Sequence, residues 1–342
     1  MSTTPNPAPK PTAERIMEAF NAYQRTAAMK TAVELDLFTL VGQGKSTVPV
    51  LAAAARASER GIRILADNLV TQGFLTKHDG AYSLTPDSQA FLDRNSPTCI
   101  ADAAIGFFAS NHVMGPLDSL TEAVRRGRNA ADDAGMMDPE DPAWIDFAES
   151  MAITQTPSAH AIAKLLHAGD ARPMKVLDVA SGHGLFGITL AAKNPNAEIY
   201  SLDWAPVLEI AQRNADVAGV SSRFHKIVGD AFEVDLGSGY DVALLTNFLQ
   251  LLDLSSIQEF LKKLYPALAP GGRVVTLGFV PNDDRVSPPA TALMSLFFLA
   301  STPGGEAYTF SDYDKLFRAA GFTHNEFVRL PDSPQQLIIS TK

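Results

Sequence analysis

The chain is 342 residues long and 46% hydrophobic, carries a formal net charge of −10 and contains a single cysteine, Cys99, so two globular domains are expected on length and core material alone. An acidic chain without a clustered basic face cannot readily displace counterions from phosphates, which argues against nucleic acid as a ligand. One cysteine makes no internal disulfide and no cysteine-based zinc site, and the longest apolar stretches, 100–109 and 292–300, are shorter than the ~18 residues of a membrane span, so no membrane anchor is expected and the cytoplasm is the expected location.

Residues 1–12, MSTTPNPAPKPT, are rich in Pro, Thr and Ser and read as a disordered tail rather than a secretion signal. From Thr12 to Leu40 apolar residues recur at helical steps: Ile16, Phe20, Tyr23, Ala27, then Ala32, Leu35 and Leu37. Thr47–Ala55 predicts a short helix, Ser58 caps a second over Glu59–Gln72, Gly73 ends it, and Phe74–Lys77 with Ala81–Leu84 predict strands around Asp79-Gly80. Helix, helix and hairpin make a winged-helix shape over 13–98. Such shapes often bind DNA, but the Lys and Arg residues between Arg25 and Arg94 are nearly matched by Asp and Glu. Ile62, Leu65 and Leu69 also give the second helix a packing face, so dimerisation or a scaffold role is expected.

Residues 99–168 predict helices only, with Phe107, Phe108, Met114, Leu117, Leu120, Trp144, Phe147, Met151 and Ile153 at helical spacing, an ordinary core stripe before it is a pocket wall. Arg125-Arg126-Gly127-Arg128 is followed by Asp132, Asp133, Asp138, Glu140 and Asp141 and reads as a solvated helix end and loop. From 169 to 342 short strands alternate with helices: strands Lys175–Ala180, Glu198–Asp203, Arg223–Val228, Tyr240–Thr246 and Arg273–Phe279, with helices Gly184–Lys193, Val207–Ala218 and Ser255–Ala269. Thr323–Leu330 and Gln336–Ser340 add an antiparallel hairpin after a Pro-Asp-Ser-Pro turn. The expectation is an α/β, Rossmann-like domain with a mostly parallel seven-stranded sheet, preceded by the mainly helical domain.

The first strand runs into Val176-Leu177-Asp178-Val179-Ala180-Ser181-Gly182-His183-Gly184-Leu185-Phe186-Gly187. Gly182, Gly184 and Gly187 satisfy G-x-G-x-x-G, which lets the backbone approach a ligand but is weak evidence alone. The acids are more specific. Asp178 lies inside the strand, Asp203 ends the second strand about 20 residues on, where a carboxylate accepts from ribose hydroxyls, and Asp230 follows the third. Trp204 and Phe232 stand beside them, placed to pack on a purine, and Leu268-Ala269-Pro270-Gly271-Gly272-Arg273 precedes the fifth strand. Taken singly, Asp203 and Asp230 also fit helix N-caps.

The stretch from Val176 to Gln336 resembles the class I S-adenosylmethionine (SAM)-dependent methyltransferases. The whole chain resembles the small-molecule O-methyltransferases of the caffeic acid type, above all bacterial members with HGLFGI in the glycine loop, Asp-Trp after the second strand and a segment like TPGGEAYTFSDYDKLFRAAGF. The resemblance implies a homodimer through the N-terminal domain and SAM held by Asp178, Gly182, Gly184, Asp203, Trp204, Asp230, Ala231, Phe232 and Asn247. It also implies an acceptor near Phe107, Phe108, Met114, Met151, Gln155, Met294 and Phe298. Methyl transfer is an in-line displacement at roughly 3 Å, for which positioning supplies much of the rate. In the family a His near the end of the fourth strand is the general base; here Gln250 occupies that position, and an amide takes no proton at neutral pH. The family's acid at the end of the fifth strand falls at Gly278, while a later one survives as Glu306.

Three readings follow. The favoured one has an acceptor that needs little activation, a thiolate, carboxylate, amine, enolate carbon or acidic hydroxyl, oriented by Gln250 and Asn247. A second makes His112, His160 or His183 the base. A third binds SAM without transferring its methyl. A nicotinamide oxidoreductase and a winged-helix regulator are the alternatives from other classes, and the seven His residues show no pair at metal-ligand spacing, so no metal is expected.

Overall fold

The structure, a computed structural model, describes residues 12–131, 135, 138, 142–331 and 333–342. The expected tail over 1–11, the acids Asp132, Asp133, Glu140 and Asp141, and Asp332 of the predicted turn lie outside those residues. The chain separates into two compact units, Met1–Ile105 and Gly106–Lys342, so the helical segment 99–168 is divided and most of it clusters with the sheet.

In the first unit α1 (Glu14–Asn21), α2 (Tyr23–Glu34), α3 (Leu37–Gly42) and α4 (Val48–Ala55) follow one another. α5 (Glu59–Thr71) begins where Ser58 Oγ accepts the Gly61 N–H, the cap legible in the sequence. β1 (Leu75–His78) pairs antiparallel with β2 (Ala81–Leu84), and α6 (Pro86–Phe91) and the one-turn α7 (Ala101–Ala103) complete the unit. Ile62, Ala66 and Leu69 of α5 pack against Leu37, Phe38, Leu51, Leu75 and Tyr82. α1 buries none of its residues: Ile16 is 59% and Phe20 75% exposed, and Tyr23 just beyond is 67% exposed.

A π-helical turn over Ala104–Phe108 carries the chain into the second unit, followed by α8 (Asn111–Asp118), α9 (Leu120–Arg126), α10 (Ala143–Ser150) and α11 (Ala152–Leu165). The stripe expected to be core divides: Phe107 and Met151 are buried, whereas Met114, Leu117 and Ile153 are exposed. The π turn adds a residue to its ring and the helices are short, so a single 3.6-residue phase does not run from Phe107 to Ile153.

The sheet is built from β3 (Met174–Val179), β4 (Ala197–Asp203), β5 (Phe224–Val228), β6 (Tyr240–Thr246), β7 (Leu268–Gly278), β8 (His324–Val328) and β9 (Gln336–Thr341) in the order β5-β4-β3-β6-β7-β9-β8. β3 to β7 pair in parallel and β9 joins β7 and β8 antiparallel. β7 starts five residues before the expected Arg273, at Leu268, which pairs with Tyr240. An irregular register after that pair absorbs Pro270-Gly271-Gly272, a tripeptide that reads as a turn in sequence. Between the strands lie α12 (Leu185–Lys193), α13 (Ala205–Val217), α14 (Leu254–Ala267), α15 (Pro289–Ala292), α16 (Met294–Ser301) and α17 (Phe310–Ala319).

The period of two sorts the strands onto two cores. Leu177, Val179, Ala243 and Leu245 face Ile257, Phe260, Leu261 and Leu264 of α14 and Phe317 of α17. Val176, Val242 and Leu244 face Ile162 of α11, Phe186 and Leu190 of α12 and Ala211 of α13. Where the order reverses, between β3 and β6, the carboxyl ends of the strands open a crevice, the position at which doubly wound sheets bind ligands.

Candidate active site

Asp178 shares the face of Val176 and lies beneath the start of α12, where its Oδ2 accepts the Gly187 N–H at 3.0 Å. Its Oδ1 has no hydrogen-bond partner, and burial pushes its carboxyl up to about 8 against the opposing pull of that N–H. The loop above it turns on Gly182 (φ +56°) and Gly184 (φ +72°); a Cβ on Gly184 would lie 3.0 Å from Ala211 Cβ. Gly187 serves packing instead, since a Cβ there would meet Ile199 Cγ2 at 2.5 Å. Asp203, at the end of β4, accepts the Gly182 N–H through Oδ2 at 2.8 Å and the Trp204 N–H through Oδ1 at 2.7 Å, while burial raises its carboxyl to about 6. After β5, Asp230 Oδ1 accepts the Phe232 N–H at 2.8 Å.

Asp203 and Asp230 border a cavity of about 630 Å³, within the ~300–1,000 Å³ typical of ligand pockets. Gly182, Asp203, Trp204, Asp230, Ala231 and Phe232 line one part, and Phe107, Phe108, Met151, Gln155, Asn247, Gln250, Met294 and Phe298 line the rest. Four expected site residues do not reach it. Asp178 lies beneath the loop and Gly184, within it, backs onto Ala211 of α13; Met114 is an exposed residue of α8; and the Glu306 carboxylate pairs with Arg285, which also holds Asp312 at 2.7 Å. The Glu306 main chain is nevertheless adjacent, its N–H donating to the Gln250 carbonyl. The cavity also recruits Trp144, Phe147, Phe279, Phe297 and Gln335. Trp144 and Phe147 stand in the stripe read as core, whereas no sequence signal marks Gln335.

Away from the two aspartates the polar lining side chains are carboxamides, Gln155, Asn247, Gln250 and Gln335, and the hydroxyls of Thr154, Ser158, Thr246 and Ser333. Gln250 Oε1 accepts the Phe279 N–H at 2.9 Å and its Nε2 donates to Asn247 Oδ1 at 3.4 Å. Gln335 Nε2 donates to the same Asn247 oxygen. A Cβ at residue 278 would come within 2.9 Å of Gln250 Oε1, so the glycine that replaces the family's acid is also what leaves room for this glutamine. Gln155 is 7% exposed and its Oε1 has no partner. Among the described lining residues there is no His, Lys or Arg. His183, within the loop, is buried and stacked on Phe147 at 5.8 Å, accepting the Leu185 N–H on Nδ1, and burial pushes it down to about 4, which favours the neutral ring. His112 faces Asp146 at 3.8 Å and His160 is exposed on α11.

Among the described residues no cluster of three metal-ligating side chains occurs and no helix is long and apolar enough to cross a membrane. The O-methyltransferase dimerisation domain matches residues 17–94 and the O-methyltransferase domain matches 119–323. The chain is 28% identical over 331 residues to L-tyrosine C(3)-methyltransferase of Streptomyces lavendulae, covering 92% of this chain and 88% of that one. It is 27% identical over 308 residues to 3-hydroxy-5-methyl-1-naphthoate 3-O-methyltransferase of Streptomyces sahachiroi, covering 89% and 88%. A crystal structure of a candidate O-methyltransferase from Nostoc punctiforme superposes with a TM-score of 0.94 at 45% identity over 97% of this chain and 100% of that one. With the catalytic-domain match alone spanning more than half of its length, the chain belongs to the SAM-dependent O-methyltransferase family and is a methyltransferase.

Proposed function

We propose that the chain methylates a small, largely apolar aromatic acceptor whose nucleophile is already ionised or electron-rich at neutral pH, with no side chain taking a proton from it. The observation that carries this is the chemistry of the acceptor end of the cavity: aromatic walls, the carboxamides of Gln250, Asn247, Gln335 and Gln155, and no His, Lys or Arg among the described lining residues. The residues present suit SAM. Asp203 and Asp230 keep lone pairs beyond their backbone bonds for hydroxyl and amino donors, Trp204 and Phe232 supply faces for a purine, and the glycine loop brings main chain close. When bound, SAM supplies a methyl group on a sulfonium that leaves as a neutral thioether. The chain's own residues then bind, orient and exclude water, and Gln250, clamped by the Phe279 N–H, orients the acceptor by hydrogen bonding. The relative from S. lavendulae is named for methylation at carbon, and an ionised phenol is nucleophilic at both oxygen and ring carbon.

The decisive measurement is kcat/KM against pH for a series of hydroxyarenes that ionise at different pH. Each profile should rise with the acceptor's own ionisation; one inflection common to all acceptors would reveal an enzymic base and end this reading. Gln250→Ala should lower kcat at least ~10-fold, about 1.4 kcal/mol, with SAM affinity nearly unchanged. Asp203→Ala should weaken SAM binding strongly, and calorimetry returning wild-type affinity would discard the cofactor assignment.

The same reading includes a homodimer through residues 17–94. Its support is the bare apolar face of α1, which a second copy would cover.

A further inference from the structure

We propose that Gln335 is a positioning residue of the reaction: with Gln250 it saturates the Asn247 carbonyl oxygen and thereby turns the Asn247 amino group towards the acceptor, as a donor for an anionic or carbonyl oxygen. This role rests on the base-free reading above and on one backbone group whose part in the network is fixed. The Phe279 N–H can only donate, so the Gln250 atom it meets is oxygen and the other end of that side chain is the amino group. That amino group meets Asn247, so the Asn247 atom facing it is oxygen. The Gln335 atom on the same oxygen is therefore its amino group. One main-chain donor thus dictates the orientation of three side-chain amides.

Asn247 Oδ1 has two lone pairs and two donors, so it offers little to a ligand. Among the described residues no group pairs with its Nδ2, and the residue lines the cavity from a left-handed backbone (φ +59°) pinned by its own N–H on the Leu277 carbonyl at 2.8 Å. Gln335 is held in turn. It is buried, its N–H donates to Ser333 Oγ, and the neighbouring Pro334 carbonyl accepts from the buried Thr291 hydroxyl at 2.8 Å. A donor fixed before the acceptor arrives needs no reorganisation during reaction, which is where neutral N–H groups stabilise developing or standing negative charge most. The acceptor class is narrowed accordingly: the group seated at Asn247 accepts hydrogen bonds, as a phenolate, an enolate or a carbonyl conjugated to the nucleophile does, and a protonated amine, which only donates, does not fit there.

The test uses 4-nitrophenol as probe with the full-length protein and S-adenosylhomocysteine, following phenolate absorbance against pH. Wild type should lower the apparent pKa of the bound probe by about one unit, a tenfold preference for the anion. Gln335→Glu, equal in shape but presenting a carboxylate to Asn247, should draw the Asn247 amino group back and abolish the shift as fully as Asn247→Ala does. Gln335→Leu, which merely frees Asn247, should lose part of it. S-adenosylhomocysteine affinity within twofold of wild type certifies the fold of the two Gln335 variants, and an unchanged circular dichroism spectrum and Tm certify that of Asn247→Ala. A shift surviving in Gln335→Glu overturns the proposal, as does a wild type that gives no shift or no probe signal at millimolar concentration. A turnover profile with an enzymic inflection would instead sink the base-free reading while leaving the probe shift in place.

Discussion

Asp178, in β3, and His183, in the loop that follows it, lie five residues apart, and burial moves them in opposite senses, with distinct consequences for stability. The Asp178 carboxyl, raised from 3.8 to about 8, keeps a proton in the folded chain that the unfolded chain has released, so its contribution is complete below pH ~4 and lost as pH climbs through about 8. Asp203, raised to about 6, acts in the same sense and is spent by that pH. His183, lowered from 6.5 to about 4, contributes above pH 6.5 and loses its contribution as pH falls through 4. Between 6.5 and 8, Asp178 is the one of the three still titrating. The ligand-free Tm should therefore fall across that window, and Asp178→Asn should flatten the fall; scanning calorimetry that finds equal slopes in both proteins would contradict a protonated Asp178. Gln155 makes a second case at this scale. Its buried, partnerless oxygen costs the ligand-free fold about 1–3 kcal/mol, so Gln155→Met should raise Tm by a few degrees while raising KM for the acceptor. A Tm rise with unchanged KM would show that Gln155 does not touch the acceptor.

What was legible residue by residue follows from locality. Gly182, Asp203, Asp230 and Phe232 sit within a few positions of strand ends, so short-range pattern located them. Gln335 lies 88 positions from the oxygen it binds, and only the antiparallel return of β9 beside β7 brings the two together. Glu306 misled because its main chain does reach Gln250 while Arg285 draws its carboxylate away, a side-chain choice that spacing does not encode.

Among the elements, β7 shows how one position couples fold to chemistry. Gly278 closes the strand and faces Gln250 Oε1, so a methyl group there would stand 2.9 Å from the far end of a flexible side chain. The strand itself should tolerate Gly278→Ala, since the side chain yields more easily than backbone, but Gln250 then loses the Phe279 N–H and its aim. The expected result is a Tm within ~3 °C of wild type, a stability change of about 1 kcal/mol, with kcat reduced ~10-fold. A kcat that stays at the wild-type level would show the clamp to be idle. The alternation of strands and helices was readable because buried parallel strands are apolar runs bounded by turn residues. The early start of β7 was not, because Pro270-Gly271-Gly272 carries turn chemistry inside a strand and only pairing with β6 reveals it.

At the level of the whole molecule, α1 raises the question of what covers it. Ile16, Phe20 and Tyr23 recur at i, i+4 and i+7, the helical spacing of an apolar stripe, and within one copy that stripe is bare. Large apolar side chains left at such exposure on one helix face are worth roughly 25 cal/mol for every Å² that a partner removes from water, and the dimerisation-domain match begins within this helix. Phe20 is the test because it has the most area to bury and lies mid-face. Phe20→Asp removes that area and sets a carboxylate among Ile16, Met17, Tyr23 and Gln24, its neighbours at i±3 and i±4, none of them cationic, so a partner face would have to desolvate an unpaired charge. Sedimentation velocity should find wild type near twice the 36.6 kDa chain mass and the variant near one chain mass at micromolar concentration, with circular dichroism unchanged because α1 contributes nothing to the core of its own copy. A variant that still sediments as the dimer would place the interface elsewhere in 17–94, and a wild type that sediments as a single chain would mean that the matched domain does not assemble in this protein.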